Sequence, residues 1–100
     1  MKRRVTLSGN QMTSKETMHP YLSKKLQLPS YYGNNLDALF DCLCEIATPL
    51  HITVTYTERL LLQTGSYGEA FLRVLQNASE ENEMLQLSLF ALSKERIHRQ

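Results

Sequence analysis

Three short stretches of this chain alternate apolar with polar residues, and the intervals between them restrict the fold more than any other feature. Arg4 to Leu7 alternates near the start, Leu50 to Tyr56 in the middle with β-branched residues throughout, and Leu85 to Leu89 near the end, continuing through Phe90 and Ala91. Each reads as a strand. A hairpin joins strands through a few residues, whereas both intervals here are long enough to hold helices, as a parallel crossover requires. The chain is therefore expected to be α/β, a three-stranded parallel sheet packed with about four helices. One hundred residues with 42% hydrophobic content support one small domain with a modest core, and not two.

The first interval opens on a Ser8-Gly9-Asn10 turn, after which Thr13-Ser14-Lys15-Glu16 has capping-box spacing. Pro20 argues against a start that early, because inside a helix its missing N–H and ring clash cost about 3 kcal/mol. A regular helix is expected to begin near Thr17, or to kink near Pro20, and to end around Gln27, with Met18, Tyr21, Leu22 and Leu26 facing the core. In the second interval, Thr57 can cap a helix running through Gln63 and ended by Gly65. A further helix begins around Ser66 to Gly68, with Ala70, Phe71, Val74, Leu75 and Ala78 on its apolar side and Glu80-Glu81-Asn82 leading out. Residues 93–100 contain Ile97 as their single large apolar residue and read as a basic tail, frayed or loosely helical, beyond a domain of residues 1–92.

The most patterned stretch is Leu28 to Leu43. Pro29 disfavours helical dihedrals at Leu28, Gly33 permits a turn, and either Asn34 or Asn35 can cap the helix that follows. At 100° per residue, Leu36, Leu39, Leu43 and Ile46 fall on one side, with Cys42 and Phe40 at its margins. Asp37, Asp41 and Glu45 fall opposite, four apart, where like charges repel by about 0.2–0.5 kcal/mol per pair. Such a face, flanked by Tyr31, Tyr32 and Phe40, is either a solvated outer surface or one built to receive cationic groups.

The formal net charge is +1, but it is unevenly distributed. Lys2, Arg3 and Arg4 stand at one end and Lys94, Arg96 and Arg99 at the other, while residues 5–92 carry five basic and nine acidic side chains, a net of −4. Three charges at each end are a weak footprint for nucleic acid, and no direct nucleic-acid partner is expected. Neither a signal-peptide core nor an apolar run of membrane-spanning length is visible, so a cytoplasmic protein is expected, without a membrane partner. Cys42 and Cys44 point about 200° apart on a helix and cannot bridge each other there. His19, His51 and His98 lack zinc spacing, so neither metal nor cofactor is expected.

Over Leu28 to Leu43 the chain resembles the barstar family, intracellular inhibitors of the small secreted bacterial ribonuclease barnase. The string LPxYYGxNLDALxDCL stands here nearly whole, and the likeness continues through Thr48-Pro49-Leu50, Phe71-Leu72-Arg73-Val74-Leu75 and the closing strand, from about residue 2 to 92. The resemblance implies a small α/β layered fold and a binding protein with no catalytic residues. It is expected to be monomeric when free and to engage a barnase-like extracellular ribonuclease one to one. It implies that Asp41 enters the enzyme's phosphate site, that Asp37 pairs with basic groups beside it, and that Tyr31 packs on the catalytic histidine. Gly33 and Asn35 would supply backbone and amide contacts, Phe40, Cys44, Glu45 and Ile46 would line the rim, and Asn77 and Glu81 would contribute from the late helix.

There are departures. Phe40 stands where the family example has a tryptophan, Asn77 where it has an interface glutamate, and one residue is missing between Leu43 and Pro49. Two other classes remain: an interaction module that kept the fold without a ribonuclease target, and an enzyme using Asp37 and Asp41 as paired carboxylates or Mg²⁺ ligands. The enzyme would need a concave pocket with convergent partners, which the sequence does not display.

Overall fold

A computed structural model describes residues 2–93. The strands are β1 (Arg3–Ser8), β2 (Leu50–Thr55) and β3 (Leu85–Leu89), all parallel, in the order β1-β2-β3. Four helices fill the intervals: α1 (Lys15–Leu26) and α2 (Leu36–Cys44) between β1 and β2, then α3 (Thr57–Thr64) and α4 (Ser66–Glu81) between β2 and β3. The α/β architecture read from the alternating stretches is the one observed.

Register explains the core. Val5 pairs with Ile52, which pairs with Leu87, and Leu7 with Val54, which pairs with Leu89, so one sheet face is continuously apolar. The other face carries Arg4, His51 and Gln86, then Thr6, Thr53 and Ser88, with His51 Nε2 2.8 Å from Ser88 Oγ. The apolar side is covered by Met18, Leu22 and Leu26 of α1, Leu39 and Leu43 of α2, and Phe71, Leu75 and Ala78 of α4, all buried. Strand pairing stops at Leu89, short of the expected Ala91, although the Phe90 N–H still donates to the Val54 carbonyl at 2.9 Å.

Two helix starts differ from expectation. Helix α1 begins at Lys15, not Thr17, because Ser14 and Thr17 form a reciprocal cap: the Thr17 N–H donates to Ser14 Oγ at 3.2 Å, and the Ser14 N–H to Thr17 Oγ1 at 3.0 Å. Pro20 lies inside this helix and leaves the Glu16 carbonyl without its donor, but both residues are exposed, so water can take the lost bond. Thr57 is the first residue of α3 and not its cap. That place is held by Tyr56 in the left-handed region, φ 56°, with no side-chain capping bond. Gly65, at φ 59°, links α3 to α4 in a conformation that a β-carbon would strain. The tail from residue 94 lies outside the described residues.

Candidate functional site

Helix α2 is set into the domain by its sequence. Asn35 is its cap, with Oδ1 accepting from the Ala38 N–H at 2.8 Å. Asn34, the alternative, instead supplies the left-handed turn residue, φ 58°. The turn thus falls on Asn34 and not on Gly33, whose lack of a side chain has another use: a β-carbon there would stand 3.2 Å from the Asn35 amide nitrogen, crowding the cap. Leu39 and Leu43 are wholly buried, with Leu36, Ala38, Phe40, Cys42, Cys44 and Ile46 packed half-buried around them. Ile46 lies just past the helix, its N–H donating to the Leu43 carbonyl at 3.3 Å.

The opposite face is exposed and acidic. Asp37, Asp41 and Glu45 all face water, as does Glu81 at the end of α4. Their fields converge on the thiols between them. Burial pushes the Cys44 thiol up first, and the charges of Glu81, Asp41 and Glu45 push it further. Burial likewise raises Cys42, helped by Glu45 and Asp41. Both cysteines are free, and their raised pKa values make them poor nucleophiles. Asn77 is exposed one turn before Glu81 on the same side of α4. The structure therefore gathers Asp41, Cys44, Glu45 and Glu81 into one patch, with Asn77 on the α4 flank.

The loop leading into α2 treats its two tyrosines oppositely. Tyr31 is 75% exposed, whereas Tyr32 is 8% exposed and its N–H closes a turn onto the Pro29 carbonyl at 3.0 Å. The Tyr32 hydroxyl is 2.5 Å from His19 Nδ1, and the Tyr67 hydroxyl is 2.6 Å from His19 Nε2. In the neutral imidazole one nitrogen accepts from a hydroxyl while the other donates to one. His19 is 2% exposed, and burial, then the charge of Lys15, lowers its pKa from the ordinary 6.5. Burial also raises Tyr32 and Tyr67 above their ordinary range, so both stay protonated. This linkage joins α1, the loop and α4. Sequence alone marked His19 as a stray histidine, since its partners lie 13 and 48 residues away.

Beside the loop is an open groove of about 660 Å³, bordered by Glu16, His19, Asn34, Asp37 and Tyr67. Asp37 reaches it but Asp41 does not, so the two carboxylates do not share a pocket. Both nitrogens of His19 are occupied by tyrosines, which leaves it no free lone pair with which to act as a base. Among the described residues, no three His, Cys, Asp or Glu side chains are grouped so as to hold a metal ion, and no helix is long and apolar enough to cross a membrane.

The family described as Barstar (barnase inhibitor) matches residues 2–92. A protein of Bacillus subtilis (strain 168) named "Putative ribonuclease inhibitor YrdF" is 39% identical over 80 residues, covering 79% of this chain and 88% of that one. With the sixteen-residue string forming the loop and most of the helix that carries the acidic face, and both matches spanning most of the fold, this chain belongs to the barstar family.

Proposed function

We propose that this chain is a cytoplasmic protein inhibitor of a small guanyl-preferring bacterial ribonuclease, which it binds one to one by laying α2 and the loop before it over the active site. The reading rests on one observation above others: Asp41 is exposed at the centre of an acidic face, directly opposite the buried Leu39 and Leu43. A carboxylate there offers charge and two acceptor oxygens to an arginine fork, as an RNA phosphate does. Asp37 and Tyr31 then flank it on the loop side, and Cys44, Glu45, Ile46 and Glu81 on the far side. Phe40 keeps apolar area at the rim without an indole donor, and Asn77 brings no charge, so the cognate enzyme need not be barnase itself.

The test is inhibition of RNA cleavage by a barnase-type ribonuclease at low and high salt, with wild type and Asp41→Ala. Wild type is expected to inhibit at micromolar concentration or below. Asp41→Ala is expected to weaken inhibition at least about a hundredfold, because truncating one partner of a desolvated charge pair costs several kcal/mol; barnase–barstar is itself the measured case behind that magnitude. No inhibition by wild type would remove the ribonuclease assignment for that enzyme. Equal potency of the two proteins would remove the phosphate-mimic mechanism.

A further inference from the structure

We propose that Asn82 is a positioning residue for the partner-binding face, fixing the last turn of α2 and with it Cys44, Glu45 and Ile46. The role in binding rests on the inhibitor reading above; the role in holding the helix end does not.

A helix leaves its last carbonyls without internal donors, and the usual remedies are a left-handed glycine just past the end or a basic side chain in the last turn. Helix α2 has neither. Glu45 occupies the cap with ordinary helical dihedrals, φ −90° and ψ −5°, and no basic residue stands in the last turn. The donor comes instead from the end of α4. Asn82 Nδ2 donates to the Leu43 carbonyl at 3.0 Å and the Ile46 carbonyl at 2.9 Å, with the Cys44 carbonyl at 3.4 Å sharing its two hydrogens.

The rest of Asn82 is equally committed. Its Oδ1 accepts from the Met84 N–H at 3.0 Å, its N–H donates to the Ala78 carbonyl at 2.9 Å, and its carbonyl accepts from the Leu85 N–H at 3.0 Å. One residue thus joins the end of α4, the start of β3 and the end of α2, and its side-chain amide cannot swing without breaking bonds to both Met84 and the end of α2. A carboxylate has no donor, and an alanine has nothing to offer. The rim residues are the ones affected: the Glu45 N–H bonds the Cys42 carbonyl at 3.2 Å, and the Ile46 N–H bonds the same Leu43 carbonyl that Asn82 holds.

The experiment compares wild type with Asn82→Asp, which keeps the Met84 acceptor and loses both donors, and with Asn82→Ser, which retains one donor and covers the case that the aspartate variant does not fold. Amide exchange in the free protein should accelerate about tenfold or more at Glu45 and Ile46, and far less at the β1 and β2 amides. Affinity for a barnase-type ribonuclease should fall about tenfold, and Glu45→Ala should cost less in the Asn82 variant than in wild type, since its side chain is already misplaced. Acceleration by one common factor at every amide would overturn the proposal by reducing Asn82 to a contributor to global stability. Localised acceleration with unchanged affinity would overturn the positioning role. If wild type binds no ribonuclease, the inhibitor reading falls separately, and exchange at Glu45 and Ile46 alone decides whether Asn82 holds the helix end.

Discussion

The segment from Pro29 to Ile46 is tied to the rest of the domain at both ends, through an imidazole and two phenols at one and through a single carboxamide at the other. At the leading end, buried His19 bridges Tyr32 and Tyr67. At the trailing end, half-buried Asn82 gathers the Leu43 and Ile46 carbonyls. Between them the acidic face of α2 stands in water. Both ends are held by elements distant in the chain, and the face between is left free of structural duty. The two hubs differ in one respect with physical consequences: an imidazole titrates near neutral pH and a carboxamide does not.

The largest effect should come from the leading end. His19→Ala leaves the buried Tyr32 hydroxyl without a partner and opens a cavity, while the Tyr67 hydroxyl can turn toward the groove and water. An unsatisfied buried hydroxyl costs about 1–3 kcal/mol, so with the cavity a loss of about 3 kcal/mol is expected in urea unfolding. Loss below about 1 kcal/mol would mean that the loop is held by its backbone turn and the cap at Asn35, and the contrast between the two ends would collapse.

These hubs mark the limit of what the sequence discloses. The strands were legible because alternation on a half-buried sheet repeats every two residues, and α2 because its apolar stripe, its asparagine cap and a sixteen-residue family string coincide. The acidic stripe of Asp37, Asp41 and Glu45 follows from helical spacing, whereas Glu81 on α4 enters only through the family resemblance. Helix α1 starts earlier than its proline predicts, because Glu16 and Pro20 are exposed and solvent offsets the lost bond. His19 and Asn82 could not be read at all: their partners lie 13 to 48 residues off, and nothing local distinguishes a histidine or asparagine that closes a long-range bond.

Acid should separate the two ends next. Burial and Lys15 hold the His19 pKa below its ordinary 6.5, so the unfolded chain takes up a proton before the folded one does. Stability from this group is complete above about pH 6.5, declines as pH falls toward the folded pKa, and levels off below it. The slope is at most about 1.4 kcal/mol per pH unit. Glu16 and Asp37 border the same groove, while Tyr32 and Tyr67 stay neutral throughout. Between pH 7 and pH 5 the free protein should lose stability, at a rate no steeper than that slope. His19→Gln should flatten that dependence, and the Tyr32 amide should loosen at higher pH than the Glu45 amide. Identical pH profiles for wild type and His19→Gln would show that acid acts elsewhere.

The smallest effect should fall midway between the hubs. Asp41→Ala removes a side chain that is exposed and accepts no hydrogen bond among the described residues, so folding gives up no buried contact there. What it removes is repulsion, since Asp37 and Glu45 stand one turn to either side and like charges at that spacing cost about 0.2–0.5 kcal/mol each. Alanine also has the higher helix propensity, which adds a few tenths of a kcal/mol in the same direction. The free protein should therefore be as stable as wild type, or more so by up to about 1 kcal/mol, in urea melts at pH 7. A destabilisation of more than about 1 kcal/mol would mean that Asp41 supports the fold, and its exposure would no longer argue for a partner. The expected pairing is what makes the residue informative: a variant that folds at least as well as wild type yet inhibits a ribonuclease far less has lost something that exists only in the complex.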